Sequence, residues 1–163
     1  MRRNIFAHAE HIDASNVDQL KGMDFVFICV DKGTAKKLLV EKLEEWGISF
    51  IDVGMGIERL DTGLTGMLRL TTSTPDYRGH VSKRISLADD DDPEGVYSQN
   101  IQIAELNALN AALAIVRWKK LLGFYHDLEK EHNSTYSIDC NLLTTDEKAG
   151  ASDTSANEEE VEV

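Results

Sequence analysis

The fold of this chain is decided by residues 24–56, whose sequence is DFVFICVDKGTAKKLLVEKLEEWGISFIDVGMG. Residues 25–30 (FVFICV) are continuously apolar, which predicts a strand covered on both faces, as in a parallel sheet. Residues 34–46 alternate apolar and charged side chains at helical spacing, with Lys36 on the charged face, and predict an amphipathic helix. Gly47 favours the end of that helix, and residues 48–53 predict a second buried strand. Together these elements predict a parallel strand–helix–strand unit.

The flanking segments predict an antiparallel extension of this unit. The turn signal Asp61-Thr62-Gly63 predicts a hairpin of residues 57–60 against residues 64–70. Further predictions are a short strand at residues 4–12, a surface loop with one helical turn at 74–94, a long helix at 100–124 with most of its circumference buried, and a last strand at 134–143. We therefore expect an α/β fold: a partial Rossmann-like sheet with one parallel strand–helix–strand unit, an antiparallel extension and a long buried C-terminal helix.

Length and charge limit the number of domains and the classes of partner. A chain of 163 residues suits one domain, which we assign to residues 1–144, followed by an acidic tail at 145–163 that is predicted to be disordered. The net charge of −12 argues against a nucleic-acid partner. No apolar run reaches transmembrane length and no leader pattern opens the chain, so we expect a cytoplasmic protein without a membrane partner.

Several side chains with reactive or metal-binding chemistry have a simpler structural interpretation. Cys29 and Cys140 lie in strand-like apolar contexts, which predicts buried, reduced thiols. His126 and His132 are six positions apart, on opposite sides of a helix if one forms there, which favours a solvated surface over a metal site.

Two amides and an acidic run also have a structural interpretation beside a functional one. Asn107 and Asn110 share a helix face, and we expect them to bond the backbone after the Asp31 strand or a neighbouring subunit. Residues 89–92, four consecutive aspartates, favour a solvated loop over a cation site.

Asp31 is the candidate on which a functional interpretation depends. It follows a predicted buried strand and precedes a helix, and the carboxyl ends of parallel strands are where open α/β sheets bind ligands. A carboxylate there can hold Mg²⁺ or a phosphate-bound metal. It can equally serve as a helix cap that accepts backbone N–H bonds. The residue types leave both alternatives open.

The sequences FVFICVDKGTAKKLL and ISFIDVGM resemble the ThiF/MoeB/HesA family of adenylyltransferases, which includes the ubiquitin-activating enzymes. Val30-Asp31-Lys32 matches the family's strand-end triplet, and Lys36 stands where an arginine is usual. The resemblance implies that Asp31 is the catalytic, Mg-coordinating residue that holds Mg-ATP, with Lys36 as a phosphate neighbour. It also implies adenylylation of the C-terminus of a ubiquitin-like or sulfur-carrier protein, and a homodimer.

The chain departs from the family pattern in ways that bear on activity. Lys32 replaces the usual asparagine, and neither a CxxC pair nor a cysteine in residues 74–100 is present. The family's N-terminal strand–GxGxxG–helix is also missing, so we expect a C-terminal portion that is inactive alone and needs a partner chain to supply that half. A non-catalytic dimerisation or interaction module is the alternative function. A Rossmann-type oxidoreductase half is a weaker third, since no catalytic Tyr/Lys pair accompanies the fold.

Overall fold

The computed structural model describes residues 4–87 and 103–148. Its strands are β1 (Phe25–Ile28), β2 (Ser49–Leu60), β3 (Gly63–Ser73), β4 (Glu131–Ser137) and β5 (Leu142–Lys148). Its helices are a 3-10 turn (Val17–Leu20), α1 (Gly33–Glu45), α2 (Val81–Arg84) and α3 (Ala104–Leu121). Residues 4–12 form neither helix nor strand, so the strand predicted there is wrong.

The five strands form one mixed sheet in the order β1-β2-β3-β4-β5, and with the helices they make an α/β fold. Only β1 and β2 run parallel, with Ile28 opposite Asp52, and the remaining pairs are antiparallel. The predicted parallel strand–helix–strand unit is therefore confirmed, and so is the antiparallel extension. Strand β1 is the outer strand, and on its other side it has no strand neighbour among the described residues.

Helix α1 ends with a hydrogen-bond pattern that requires a left-handed residue. Gly47 has φ of 72°, which glycine adopts at little cost. Its N–H donates to Glu44 O at 3.2 Å, and the Ile48 N–H donates to Leu43 O at 2.9 Å. These two bonds form a Schellman motif, and Leu43 and Ile48 belong to one buried apolar cluster. The chain is thereby turned from α1 directly into β2.

The hairpin of β2 and β3 brings two backbones into unusually close approach. Leu60 pairs with Gly63 across a two-residue turn, as the turn signal predicts. Further along, Gly66 has φ of 157°, and a Cβ atom there would collide with the Gly56 carbonyl oxygen and lie 2.9 Å from Ile57 Cα. Only glycine fits at position 66 without moving β2.

The sheet is covered on both faces by apolar side chains. On one face, Ile28 and Phe50 pack with Leu39 and Leu43 of α1. On the other, Ile51 and Leu70 pack with Ala114 of α3. Alternate residues of β1 and β2 thus face opposite layers, which explains why residues 25–28 are continuously apolar.

Helix α3 is much more exposed than its sequence predicts. Its buried residues are Asn110, Ala114 and Arg117, whereas Ile115 and Val116 are 43% and 42% exposed. The expectation that most of its circumference is buried is wrong, because one sheet face covers only one side of a helix. Arg117 is also buried, and its charge is compensated by an Asp127 oxygen that lies 2.6 Å from its guanidinium.

The C-terminal part of the sheet also differs from expectation. The single strand predicted at residues 134–143 is a hairpin of β4 and β5, which turns at residues 138–141. Strand β5 continues to Lys148, so residues 145–148 belong to the sheet and not to a disordered tail. The one helical turn predicted in the loop after β3 is α2. The aspartate run at 89–92 and residues 149–163 lie outside the described residues.

Candidate functional site

Asp31 lies in the short loop that joins β1 to α1. Strand β1 ends at Ile28, α1 begins at Gly33, and Asp31 is exposed between them. The N-cap position of α1 is occupied by Lys32, so Asp31 stands one residue before the cap. The structure thus places the carboxylate where the sequence predicts, at the carboxyl end of the parallel pair and near the positive end of the helix dipole.

Lys36, one turn into α1, enters a buried ion pair. The residue is 6% exposed, and its ammonium nitrogen lies 3.1 Å from Oδ1 of Asp52, which is 0% exposed. A guanidinium nitrogen of Arg69, on β3, lies 3.4 Å from Oδ2 of the same carboxylate. Lys36, Asp52 and Arg69 are hereafter called the Asp52 cluster. The prediction that Lys36 points to solvent is wrong, because its ammonium group pairs with the buried carboxylate of Asp52 on β2.

Gly54 allows Arg69 to reach Asp52. The two residues are partners in the β2–β3 register, and a Cβ atom on Gly54 would lie 3.1 Å from an Arg69 guanidinium nitrogen. The guanidinium therefore lies against the bare backbone of β2. Strand β1 ends opposite Asp52, so Gly54 of β2 has no partner in β1. Asn110 of α3 donates from Nδ2 to the Gly54 carbonyl oxygen at 2.8 Å. Asn110 thus bonds to β2 and not to the loop after β1.

The Asp52 cluster affects the chemistry of Cys29, the residue that follows β1. Cys29 is a free cysteine and is exposed, so the prediction of a reduced thiol is confirmed and that of a buried one is wrong. Partial burial of the thiol raises its pKa, and the negative charge of Asp52 raises it further, against an opposing effect of Lys36. The thiol is therefore protonated at neutral pH and is a weak nucleophile. Cys140 is likewise free and exposed.

A separate chain of polar contacts crosses the sheet beside the Asp52 cluster. Thr71, the partner of Asp52 in the β2–β3 register, donates to Asn133 Oδ1 at 2.9 Å. Asn133 donates from Nδ2 to Asp146 Oδ1 at 2.8 Å, and Arg84 lies 2.7 Å from the other oxygen of Asp146. Strands β3, β4 and β5 are thereby linked to α2 through polar side chains.

A second buried polar group contains His132, which was expected at the surface, and His80, which lies in the segment predicted to be a surface loop. His80 and His132 are 5% exposed, and each ring centroid lies 4.8 Å from that of Tyr77. His132 Nδ1 lies 3.0 Å from Lys130 O, and its Nε2 lies 3.4 Å from the Thr74 hydroxyl. Burial lowers the pKa of His132. His132 belongs to β4 and not to a helix, so the prediction that it lies on a solvated surface is wrong.

Asp31 fits a metal ion only when ligands from outside the described residues complete the coordination shell of that ion. Within residues 4–87 and 103–148, no three acidic, histidine or cysteine side chains converge to hold a metal ion. Asp31 can therefore supply one oxygen to a Mg²⁺ ion whose remaining ligands are phosphate oxygens and water, the usual arrangement for this ion. Crossing a membrane requires a long and almost wholly apolar helix, and the described parts of the chain contain none.

Comparison with protein families and curated sequences gives no relative from which a role could be transferred. The chain matches no protein-family model and no curated protein sequence.

Sequence reasoning missed Asp52 and Arg69, the residues that hold Lys36. A usable signal was present, because Asp52 interrupts the apolar segment SFIDVGM in a strand predicted to be covered on both faces. A carboxylate in such a strand needs a cationic partner nearby, and a lysine on the connecting helix is an available one.

Proposed function

We propose that this chain contributes Asp31 to a ThiF-like adenylyltransferase site, which activates the C-terminus of a ubiquitin-like or sulfur-carrier protein with Mg-ATP. The observation that supports it is the exposed carboxylate between the carboxyl end of β1 and the start of α1. This is the end of a parallel strand pair at which open α/β sheets bind nucleotides. The resemblance of residues 24–56 to the family assigns the Mg-ATP role to the same residue.

In this proposal Asp31 orients the metal, and the reaction occurs at the α-phosphate. A C-terminal carboxylate oxygen of the carrier protein forms a bond to the α-phosphorus, and the bond to the leaving pyrophosphate breaks. Mg²⁺ supplies charge neutralisation for the phosphate oxygens when it is bound. The contribution of this chain is to hold one carboxylate oxygen at a fixed position on the short connection, residues 29–32, between β1 and α1.

The phosphate-binding half of the site is proposed to come from a further polypeptide segment. The 163 residues contain no GxGxxG sequence, and backbone N–H groups of such a loop are what bind a phosphate chain. Strand β1 is apolar and outermost in the described sheet, so a strand that carries a glycine-rich loop can pair with it. Parallel pairing there would set the loop beside Asp31, at the same edge of the sheet.

Lys36 has an indirect role in this proposal. Its ammonium is 3.1 Å from Asp52 Oδ1, on the interior side of α1. The Asp52 cluster joins the first turn of α1 to β2 and β3, and thereby fixes the start of the helix that follows Asp31. Lys36 then positions the loop that carries Asp31.

ATP–pyrophosphate exchange tests the proposal. The chain should be expressed with a tag in its own host and purified with the proteins that remain bound. We expect exchange in this complex when the carrier protein is present, and none from the chain alone. Asp31→Ala should lower the exchange rate at least about a hundredfold, while Asp61→Ala, at the exposed hairpin turn, leaves it unchanged. Exchange that survives Asp31→Ala would remove the metal role from this residue.

A non-catalytic interaction module is the second candidate function. The apolar outer strand β1 favours it, because an uncovered strand edge tends to pair with another chain. In that case the chain assembles with its partner but the complex exchanges no pyrophosphate, and Asp31→Ala binds the partner as tightly as the unmodified chain. A chain that light scattering shows to be a stable monomer, with no protein bound after purification, would exclude this function.

A further inference from the structure

The guanidinium of Arg69 keeps most of its hydrogen-bonding capacity after it pairs with Asp52. A guanidinium carries five N–H donors in a planar fork. Within the described part of the chain, its hydrogen bond runs from Nη2 to Asp52 Oδ2 at 3.4 Å, which is long for a charged pair. Nε is buried without a partner there, and Nη1 also lacks one but is not buried. The Arg69 side chain is 32% exposed, so a ligand can reach the guanidinium.

Arg69 lies beyond the end of β1, on the face of the sheet that carries α1. Strand β1 ends opposite Asp52, and Arg69 is the β3 partner of Gly54, two residues further along β2. Register partners share a face and so do residues two apart, so Arg69 faces the same side as Asp52 and Lys36. The loop at residues 29–32 leaves β1 at this end. The guanidinium therefore lies in the region outside the carboxyl ends of the parallel strands, where open α/β sheets bind ligands.

The residues in line with Arg69 across the sheet supply hydroxyl groups and no acid. Thr135 of β4 is the register partner of Arg69, and Thr144 of β5 is the partner of Thr135, so both share its face. The Thr144 hydroxyl donates to Thr135 O at 3.3 Å. Thr135 is half-buried, and its own hydroxyl has no partner among residues 4–87 and 103–148. This line, called the Arg69 row, consists of Gly54, Arg69, Thr135 and Thr144.

The charges around the Arg69 row favour an anion. The adjacent row toward the hairpin turn is also uncharged, and it consists of Gly56, Met67, Ser137 and Leu142. On the other side, Asp52 lies between Lys36 and Arg69, so two positive charges there face one negative charge. Asp146 is paired with Arg84 at 2.7 Å. The chain as a whole has a net charge of −12 and repels anions, so an anion that binds would select this local positive site.

We propose that Arg69 and Thr135 form an oxyanion subsite, in which the guanidinium and the Thr135 hydroxyl donate to the oxygens of one phosphate or carboxylate group. The planar fork of arginine matches two oxygens of such a group, and Asp52 holds the fork in place. The identity of the anion rests on the proposed function: it is the pyrophosphate part of ATP or the C-terminal carboxylate of the carrier protein. In both cases Arg69 is a binding residue that fixes a reactant at the end of the sheet where Asp31 lies.

Nuclear magnetic resonance of the full chain by itself tests the subsite without the exchange reaction. In protein with ¹⁵N-labelled arginine, the Arg69 Nε–H signal is identified by its absence in Arg69→Gln or Arg69→Lys. This signal should shift and saturate when sodium pyrophosphate or N-acetylglycine is added, with a dissociation constant in the millimolar range for the better ligand. Saturation by pyrophosphate assigns the subsite to ATP, and saturation by N-acetylglycine assigns it to the carrier C-terminus.

Two substitutions in the subsite have matched controls. Arg69→Gln should weaken binding of the better anion at least about tenfold, because hydrogen bonds to charged groups are the strong ones. Thr135→Val should weaken it about threefold, and this variant keeps the test available if Arg69→Gln does not fold. Arg59→Gln, exposed on the opposite face of the hairpin, and Thr65→Val, further along β3, should leave the dissociation constant unchanged. Backbone amide signals of β4 report binding in all four variants, and circular dichroism shows that each is folded.

A third substitution separates binding from a merely structural role. Asp52→Asn removes the carboxylate that competes for the guanidinium, so it should tighten anion binding, whereas a loosened structure would weaken it. An Asp52→Asn variant that binds the anion as weakly as Arg69→Gln would contradict the subsite.

The outcomes also separate the subsite from the proposed function. An Arg69 signal that does not move with about 20 mM of either anion, well above a millimolar dissociation constant, overturns the subsite. Equal binding by the unmodified chain and Arg69→Gln overturns it too, and pyrophosphate exchange that depends on Asp31 would stand in either case. Conversely, saturable binding that is lost in Arg69→Gln, with no exchange by the purified complex, supports the oxyanion subsite and removes adenylylation.

Discussion

Replacing Lys36 with methionine should destabilise the fold far more than the same change at Lys37. Both lysines belong to α1, but Lys36 is 6% exposed and paired with Asp52 at 3.1 Å, whereas Lys37 is exposed. Removing one partner of a buried ion pair leaves the other charge uncompensated and costs about 3–5 kcal/mol. Arg69 stays 3.4 Å from Asp52 and retains part of the compensation. We therefore expect Lys36→Met to lower the free energy of unfolding by about 3 kcal/mol, the lower end of that range.

Urea unfolding followed by the fluorescence of Trp46 and Trp118 measures this difference. With a typical slope of about 2 kcal/mol per molar urea, the midpoint for Lys36→Met should fall by about 1.5 M. Lys37→Met should change the unfolding free energy by less than about 0.5 kcal/mol, as exposed substitutions do. Equal slopes in the three proteins would show that the denatured states are comparable.

A double substitution distinguishes the charge effect from lost packing. Lys36→Met/Asp52→Leu removes both charges and leaves apolar groups of similar size, so it should regain a large part of the stability lost in Lys36→Met. A double variant that is no more stable than Lys36→Met alone would contradict a charge effect at this position. Unfolding of Lys36→Met and Lys37→Met at the same urea concentration would contradict the burial of the Lys36 ion pair.

Three further predictions concern other parts of the structure. Gly66→Ala should lower the unfolding free energy by about 2–4 kcal/mol in the same urea assay, because the added methyl group meets the β2 backbone. Burial lowers the pKa of His132, so the unfolded chain binds a proton there more readily than the folded chain does. The melting temperature should therefore fall as the pH drops from 7 to below 6.5, the ordinary histidine value. His132→Gln should make this fall less steep, whereas His126→Gln, the control, should leave its slope unchanged. Asp52→Asn should lower the pKa of Cys29, which iodoacetamide alkylation rates as a function of pH would detect in a chain lacking the other cysteine; an unchanged pH profile would contradict the proximity of the two groups.

Local sequence pattern was sufficient for the β1–α1–β2 unit and for the hairpin that follows. The apolar segments, the terminating Gly47 and the turn at residues 61–62 act through neighbours along the chain, and such signals survive in a single sequence. The loop position of Asp31 follows from the same local signals. The division of the C-terminal region into β4 and β5 was not predicted, because their polar residues, such as Asn133 and Asp146, bond across strands and carry little alternation.

The sequence by itself determined the parallel unit, its amphipathic helix and the place of Asp31 at the strand end, since each depends on spacing within about one element. Only the tertiary structure decided that Lys36 turns inward to Asp52, and that Arg69, seventeen residues from Asp52, reaches the same carboxylate. Pairing of β2 with β3 creates that contact, and no local pattern encodes it. The tertiary structure likewise decided which side of α3 is covered, because the sequence of a helix that is apolar all round does not specify which face packs on the sheet. Asp31 therefore keeps its predicted place, but the charged group beneath its helix is a product of strand pairing.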